Sequence, residues 1–134
     1  AGEVRVIAGA FGGTTGPART FTPINLWDMR LKAGASVTLD LPDGHNSALV
    51  VLAGHVIVGG TQAAGEAEMV LLSNDGSGVT IDADGEVMIL VMTGQPIDEP
   101  IVGYGPFVMN SEDEIRAAVA DFNSGRFGQM ASVP

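Results

Sequence analysis

The sequence predicts an all-β sandwich or barrel with one α-helix near its C-terminus, and three observations carry that expectation. Glycine is abundant (19 residues) and aromatic residues are sparse (5%), with short Val- and Ile-rich runs between the glycines. Turn signals separate those runs: Asp43-Gly44, Gly59-Gly60, Asn74-Asp75-Gly76 and Asp84-Gly85. Helical periodicity marks one segment close to the end.

The strand runs are residues 4–7, 36–41, 48–52, 56–58, 69–72, 79–81 and 87–92. Val37, Leu39 and Leu41 alternate with Ser36, Thr38 and Asp40, the period of two expected of a strand with one buried face. Runs 48–52 and 87–92 are apolar on both faces, which places them inside a sheet. Short strands at this spacing read as a sandwich or barrel. The helix is expected over residues 111–124. Ser111 and Glu114 form a capping box, and Glu112, Asp113 and Glu114 suit the positive end of the helix dipole. Ile115, Ala118, Val119 and Phe122 make one apolar stripe, and Gly125 supplies a left-handed C-terminal stop.

At 134 residues the chain predicts one domain spanning 1–134, with enough length for a core. Zero cysteines exclude disulfides, thiolate metal sites and a cysteine nucleophile. Six basic against 16 acidic residues give a net charge of -10, which disfavours nucleic acid and anionic membrane partners. The longest uncharged stretch, between Gly44 and Gly65, is broken by glycines and holds both histidines, so no membrane span is expected. No signal peptide is expected either, which points to the cytoplasm, and the start at Ala1 suggests a processed or excised piece.

Candidate chemistry is thin. His45 and His55 are the natural metal ligands to consider. Were Ala53-Gly54 a two-residue hairpin turn, His45 would lie roughly 23 Å from His55 at about 3.3 Å per residue; in one continuous strand they would lie further apart. They do not share a metal on either reading. Asp82-Ala83-Asp84-Gly85-Glu86 resembles the opening of a calcium loop, but the chain returns to apolar strand at Val87, so an acidic hairpin turn is expected. Asp40 and Asp43 flank Pro42 in a solvated turn. No G-x-S-x-G elbow is present. Gly12-Gly13-Thr14-Thr15-Gly16 lacks the Lys of a phosphate loop and reads as a mobile connection. Trp27, the single tryptophan, is expected in the core with its N–H on one partner.

Several stretches together resemble the C-terminal domain of the pirin family. They are Val4-Arg5-Val6-Ile7-Ala8-Gly9; Gly16-Pro17-Ala18-Arg19-Thr20-Phe21-Thr22-Pro23-Ile24-Asn25-Leu26-Trp27-Asp28-Met29-Arg30-Leu31-Lys32-Ala33-Gly34; Leu41-Pro42-Asp43-Gly44-His45-Asn46; and Leu71-Leu72-Ser73-Asn74-Asp75-Gly76. The last, Gly94-Gln95-Pro96-Ile97-Asp98-Glu99-Pro100-Ile101-Val102 with Tyr104-Gly105-Pro106-Phe107-Val108-Met109-Asn110, is specific.

The resemblance implies a cupin-type (RmlC-like jelly-roll) barrel, one half of a bicupin. It implies iron or a similar metal in an N-terminal cupin, held by three histidines and a glutamate. Family members include quercetin 2,3-dioxygenases and iron-dependent cofactors of transcription regulators. Aligned on that motif, Asp40 and Pro42 take the places of the His-x-His pair, Asn46 falls near a glutamate, and Ile81 and Ala83 fall near the last histidine and glutamate. Those residues leave no catalytic, cofactor or metal site to carry over; should a site exist, Asp40, His45 and His55 are its candidates. The expectation is therefore a metal-free structural domain without its own cofactor, packed against and closing the N-terminal cupin, or self-associating. Ile115, Val119, Phe122 and the segment 104–107 are its candidate contact surfaces. The alternatives are a module that binds a small apolar molecule in the emptied barrel, and a stand-alone dioxygenase.

Overall fold

The computed structural model describes residues 1–132, which gather into two units, Ala1–Pro96 and the residues from Ile97 onward. The first unit holds β1 (Gly2–Ala8), β2 (Ala10–Phe11), β3 (Thr14–Thr15), β4 (Ile24–Leu31), β5 (Ser36–Asp40), β6 (Asn46–Val58), β7 (Gln62–Gly65), β8 (Met69–Leu72) and β9 (Gly78–Gly94). The second holds β10 (Val102–Tyr104), β11 (Phe107–Met109) and α1 (Glu112–Asn123).

Two long, bent strands organise the first unit. The second half of β9 pairs with β4 and with the first half of β6, and β1 and β8 complete that layer. The first half of β9 pairs with β5 and with the second half of β6, and β7 completes the other. Every pairing between these strands is antiparallel, and both long strands pass from one layer to the other, as in a jelly roll.

The bend corrects one sequence expectation, the Asp84-Gly85 turn, and decides between the two readings left open at Ala53-Gly54. Asp84-Gly85 is not a hairpin turn and Ala53-Gly54 is not one either; each lies inside a continuous strand, so runs 48–52 and 56–58 belong to β6, and runs 79–81 and 87–92 to β9. Between the pairs Ala53↔Met88 and His55↔Asp84, three residues of β9 face the single Gly54. Such an excess bends a strand, and glycine accommodates it. Gly54 has φ +85°, and a Cβ there would press on the Glu86 carbonyl.

Two further elements differ from expectation. β4 was not among the expected runs, although Trp27, Met29 and Leu31 alternate inward along it. The Gly12-Gly13 stretch is not a bare connection but the turn of the β2–β3 hairpin, in which both glycines have positive φ, +54° and +83°.

The core is built from cross-strand layers. Trp27, Val91 and Leu49 form one, Met29, Ile89 and Val51 the next, and Leu31 with Val87 a third. All are 4% exposed or less, so each contributes on the order of 1.5–3 kcal/mol of burial. The first unit is filled with its own side chains.

In the second unit β10 and β11 form a hairpin, and α1 follows it. Ser111 accepts from the Glu114 amide while the Glu114 carboxylate accepts from the Ser111 amide, so the expected capping box forms. The helix stops as predicted: Gly125 takes φ +74°, its N–H donates to Phe122, and Arg126 N–H donates to Asp121, a Schellman closure. Of the predicted stripe, Ile115 and Ala118 are buried, Val119 is half-buried and Phe122 is exposed. Phe122 meets Phe107 and Phe127 edge-on, with ring centroids 6.3 and 6.1 Å away. Among the described residues no helix is long and apolar enough to cross a membrane.

Candidate functional site

One layer above Trp27, the inward side chains turn polar. Asn25 on β4 and Ser47 on β6 both pair with Thr93 on β9, two residues along each strand from the Trp27 layer. His45 precedes Ser47 by two residues and therefore falls on the same face. The barrel mouth is thus ringed by an amide, two hydroxyls and one imidazole.

The ring is hydrogen-bonded. The Ala10 amide donates to Asn25 Oδ1 at 3.2 Å, Asn25 Nδ2 donates to Thr93 Oγ1 at 3.0 Å, and Thr93 Oγ1 lies 3.3 Å from His45 Nδ1. With one proton and two lone pairs, the Thr93 hydroxyl bridges the Asn25 amide and the His45 imidazole.

Outside the ring lies a cleft of about 640 Å³ whose lining includes Phe11, Asn25, Trp27, Asp40 and Pro42. A smaller one of about 140 Å³ touches Pro42, His45 and Ser47. Trp27 is buried as expected, with Phe11 edge-on at 4.9 Å, but its Nε1 has no protein partner, contrary to expectation. The strand pairing that buries the ring brings no acceptor to it.

The sequence-derived candidates are dispersed. Asp40 is exposed at the end of β5, His45 is half-buried at the start of β6, and His55 is exposed beyond the β6 bend, opposite Asp84. Asn46 and Pro42 are also exposed. Ile81 and Ala83 lie in the core, 0% and 6% exposed, away from any solvent. Among the described residues no three His, Cys, Asp or Glu side chains gather to hold an ion. A divalent transition ion wants imidazole or carboxylate donors at about 2.0–2.2 Å, and the mouth ring offers one imidazole with hydroxyls and an amide, so the residues do not fit such a metal. Asn25, Ser47 and Thr93 were not singled out in the sequence. Their grouping depends on strand register across 68 residues, a long-range feature with no local signal.

Bent strands shared between two layers, and a mouth at one end of the filled interior, define a cupin-type barrel. The chain matches the pirin C-terminal cupin domain over residues 26–128 and belongs to that family. It is 50% identical over 127 residues to a Pseudomonas aeruginosa protein named "Putative quercetin 2,3-dioxygenase", covering 95% of this chain and 44% of that protein. Pirin of Rattus norvegicus is 31% identical over 129 residues, covering 93% of this chain and 44% of that one. A crystal structure of quercetin 2,3-dioxygenase from Acinetobacter baumannii superimposes with a TM-score of 0.91 at 44% identity, over 97% of this chain and 45% of that one. The chain spans less than half the length of each.

Proposed function

We propose that this chain is the metal-free structural half of a two-domain pirin-like protein. It packs against a metal-bearing N-terminal cupin and closes over the mouth of that domain's site. The observation that carries this reading is the donor chemistry of its own mouth, where a hydrogen-bonded Asn25–Thr93–His45 chain occupies the rim. The reaction named for the bacterial relatives, quercetin 2,3-dioxygenation, then belongs to the other half, whose metal supplies the redox chemistry. This chain contributes shape, exclusion of water and a fixed wall.

The test is turnover by the two-domain polypeptide after replacing His45 and Asp40 with alanine. Oxygen uptake with quercetin and metal content both within about twofold of the parent are expected, since neither residue touches the metal on this reading. Loss of one metal equivalent together with activity would place the site in this half instead. A second reading, a small-molecule binding module, is favoured by the 640 Å³ cleft beside an unpartnered Trp27 Nε1. It would take its ligand at the rim, because the interior is filled.

A further inference from the structure

The inward face of the β1–β4–β9–β6–β8 layer makes the core; its outward face is also apolar. Leu26, Met92, Ala48 and Leu71 lie side by side in one cross-strand row. The next row runs from Asp28 through Leu90 and Val50 to Met69. Most of these side chains are half-buried by their neighbours, but Met69 and Leu71 are 58% and 76% exposed, and Leu52 beside them is 45% exposed. An antiparallel layer with one solvated face ordinarily alternates apolar inside with polar outside. This layer does not.

The pattern is that of an interface, with an apolar, methionine-bearing centre and a charged rim. The rim lies along β1 and β4, where Glu3 pairs with Arg30 and Arg5 with Asp28. Arg5 and Arg30 are two of only six basic residues in a chain of net charge -10, so this face is locally near neutral. Asp28 is 9% exposed; Arg5 donates to its Oδ2 at 2.8 Å, while Oδ1 has no partner. Five strands about 4.8 Å apart and β4's length at about 3.3 Å per residue give a flat footprint of roughly 600 Å², close to the ~800 Å² per partner of a stable interface.

Resting on the reading above, we infer that this outward face is the docking surface for the N-terminal cupin of the two-domain chain. More than half of each relative's length lies outside the match, so a second body is at hand in them. Tethering gives that body an effective concentration near millimolar. A second copy of this chain is disfavoured, because two bodies of charge -10 repel.

The absence of cysteine makes a direct test simple. Leu71→Cys and, as a control in the other layer, the exposed Gln62→Cys are labelled with a maleimide. Each is measured in the 134-residue chain and in a two-domain polypeptide carrying an N-terminal cupin ahead of it. Thiols native to the added half are subtracted using the unsubstituted two-domain protein. Leu71→Cys should react at least about tenfold more slowly in the two-domain protein, with Gln62→Cys unchanged. Equal Leu71→Cys rates in both would overturn the docking assignment. So would protection that appears in the 134-residue chain as its concentration rises, since the occupant would then be a second copy. Metal content, read on the same samples, tests the structural role separately.

Discussion

Thr93 shows how much one side chain can organise. It is 3% exposed and sits between Asn25 and His45, so its hydroxyl links β9 to β4 and to the residue just before β6. Thr93→Val keeps the shape but strips the Asn25 amide and His45 Nδ1 of their partner. A loss of about 1–3 kcal/mol is expected by urea denaturation, the cost of leaving buried polar groups unpaired. Trp27→Phe should behave differently, because it removes an N–H that has no partner. The gain on losing that donor offsets part of the packing loss, and the variant should cost less than the 3–5 kcal/mol of a typical large-to-small aromatic truncation. At this scale the sequence disclosed burial but not partnership. Trp27's place in the core was legible, whereas the missing acceptor follows from which strands flank β4.

Elements were legible where the signal was local. The capping box, the apolar stripe and Gly125 mark α1 within one short window, and the helix runs where they place it. Ser111→Ala should lower the stability of that unit by about 1 kcal/mol, measured as reduced amide protection in the first helical turn. The bend in β9 differs from the expected turn because glycine beside aspartate has two meanings. Asp84-Gly85 is a good hairpin turn in isolation, but here the apolar runs on either side continue as one strand across a bulge. Only the partner strand decides between them. Gly54→Ala tests the bend: positive φ and the nearby Glu86 carbonyl together should cost at least about 1–3 kcal/mol. A Gly44→Ala control has positive φ as well but meets nothing within 4 Å, and should cost less.

At the scale of the molecule, the sequence carried the family, and the fold agrees with it. The acidic charge and the lack of thiols narrowed the chemistry before any geometry was known. What the sequence left open was the use of the surfaces. It placed the candidate contacts on the stripe of α1 and on segment 104–107, while the outward rows of the five-stranded layer emerge only once register aligns four separate strands. The runs 48–52 and 87–92 do carry a hint, being apolar on both faces, a pattern that predicts interior strands. They are interior strands, yet their outer faces remain open to solvent.

On the proposed function, this chain holds no resident metal. Elemental analysis of the purified, untagged 134-residue chain after dialysis tests it most directly. Iron, nickel, copper and zinc are each expected well below one equivalent, with the fold intact by circular dichroism. One equivalent of any of them, lost on replacing Asp40, His45 or His55, would contradict it and return dioxygenase chemistry to this chain.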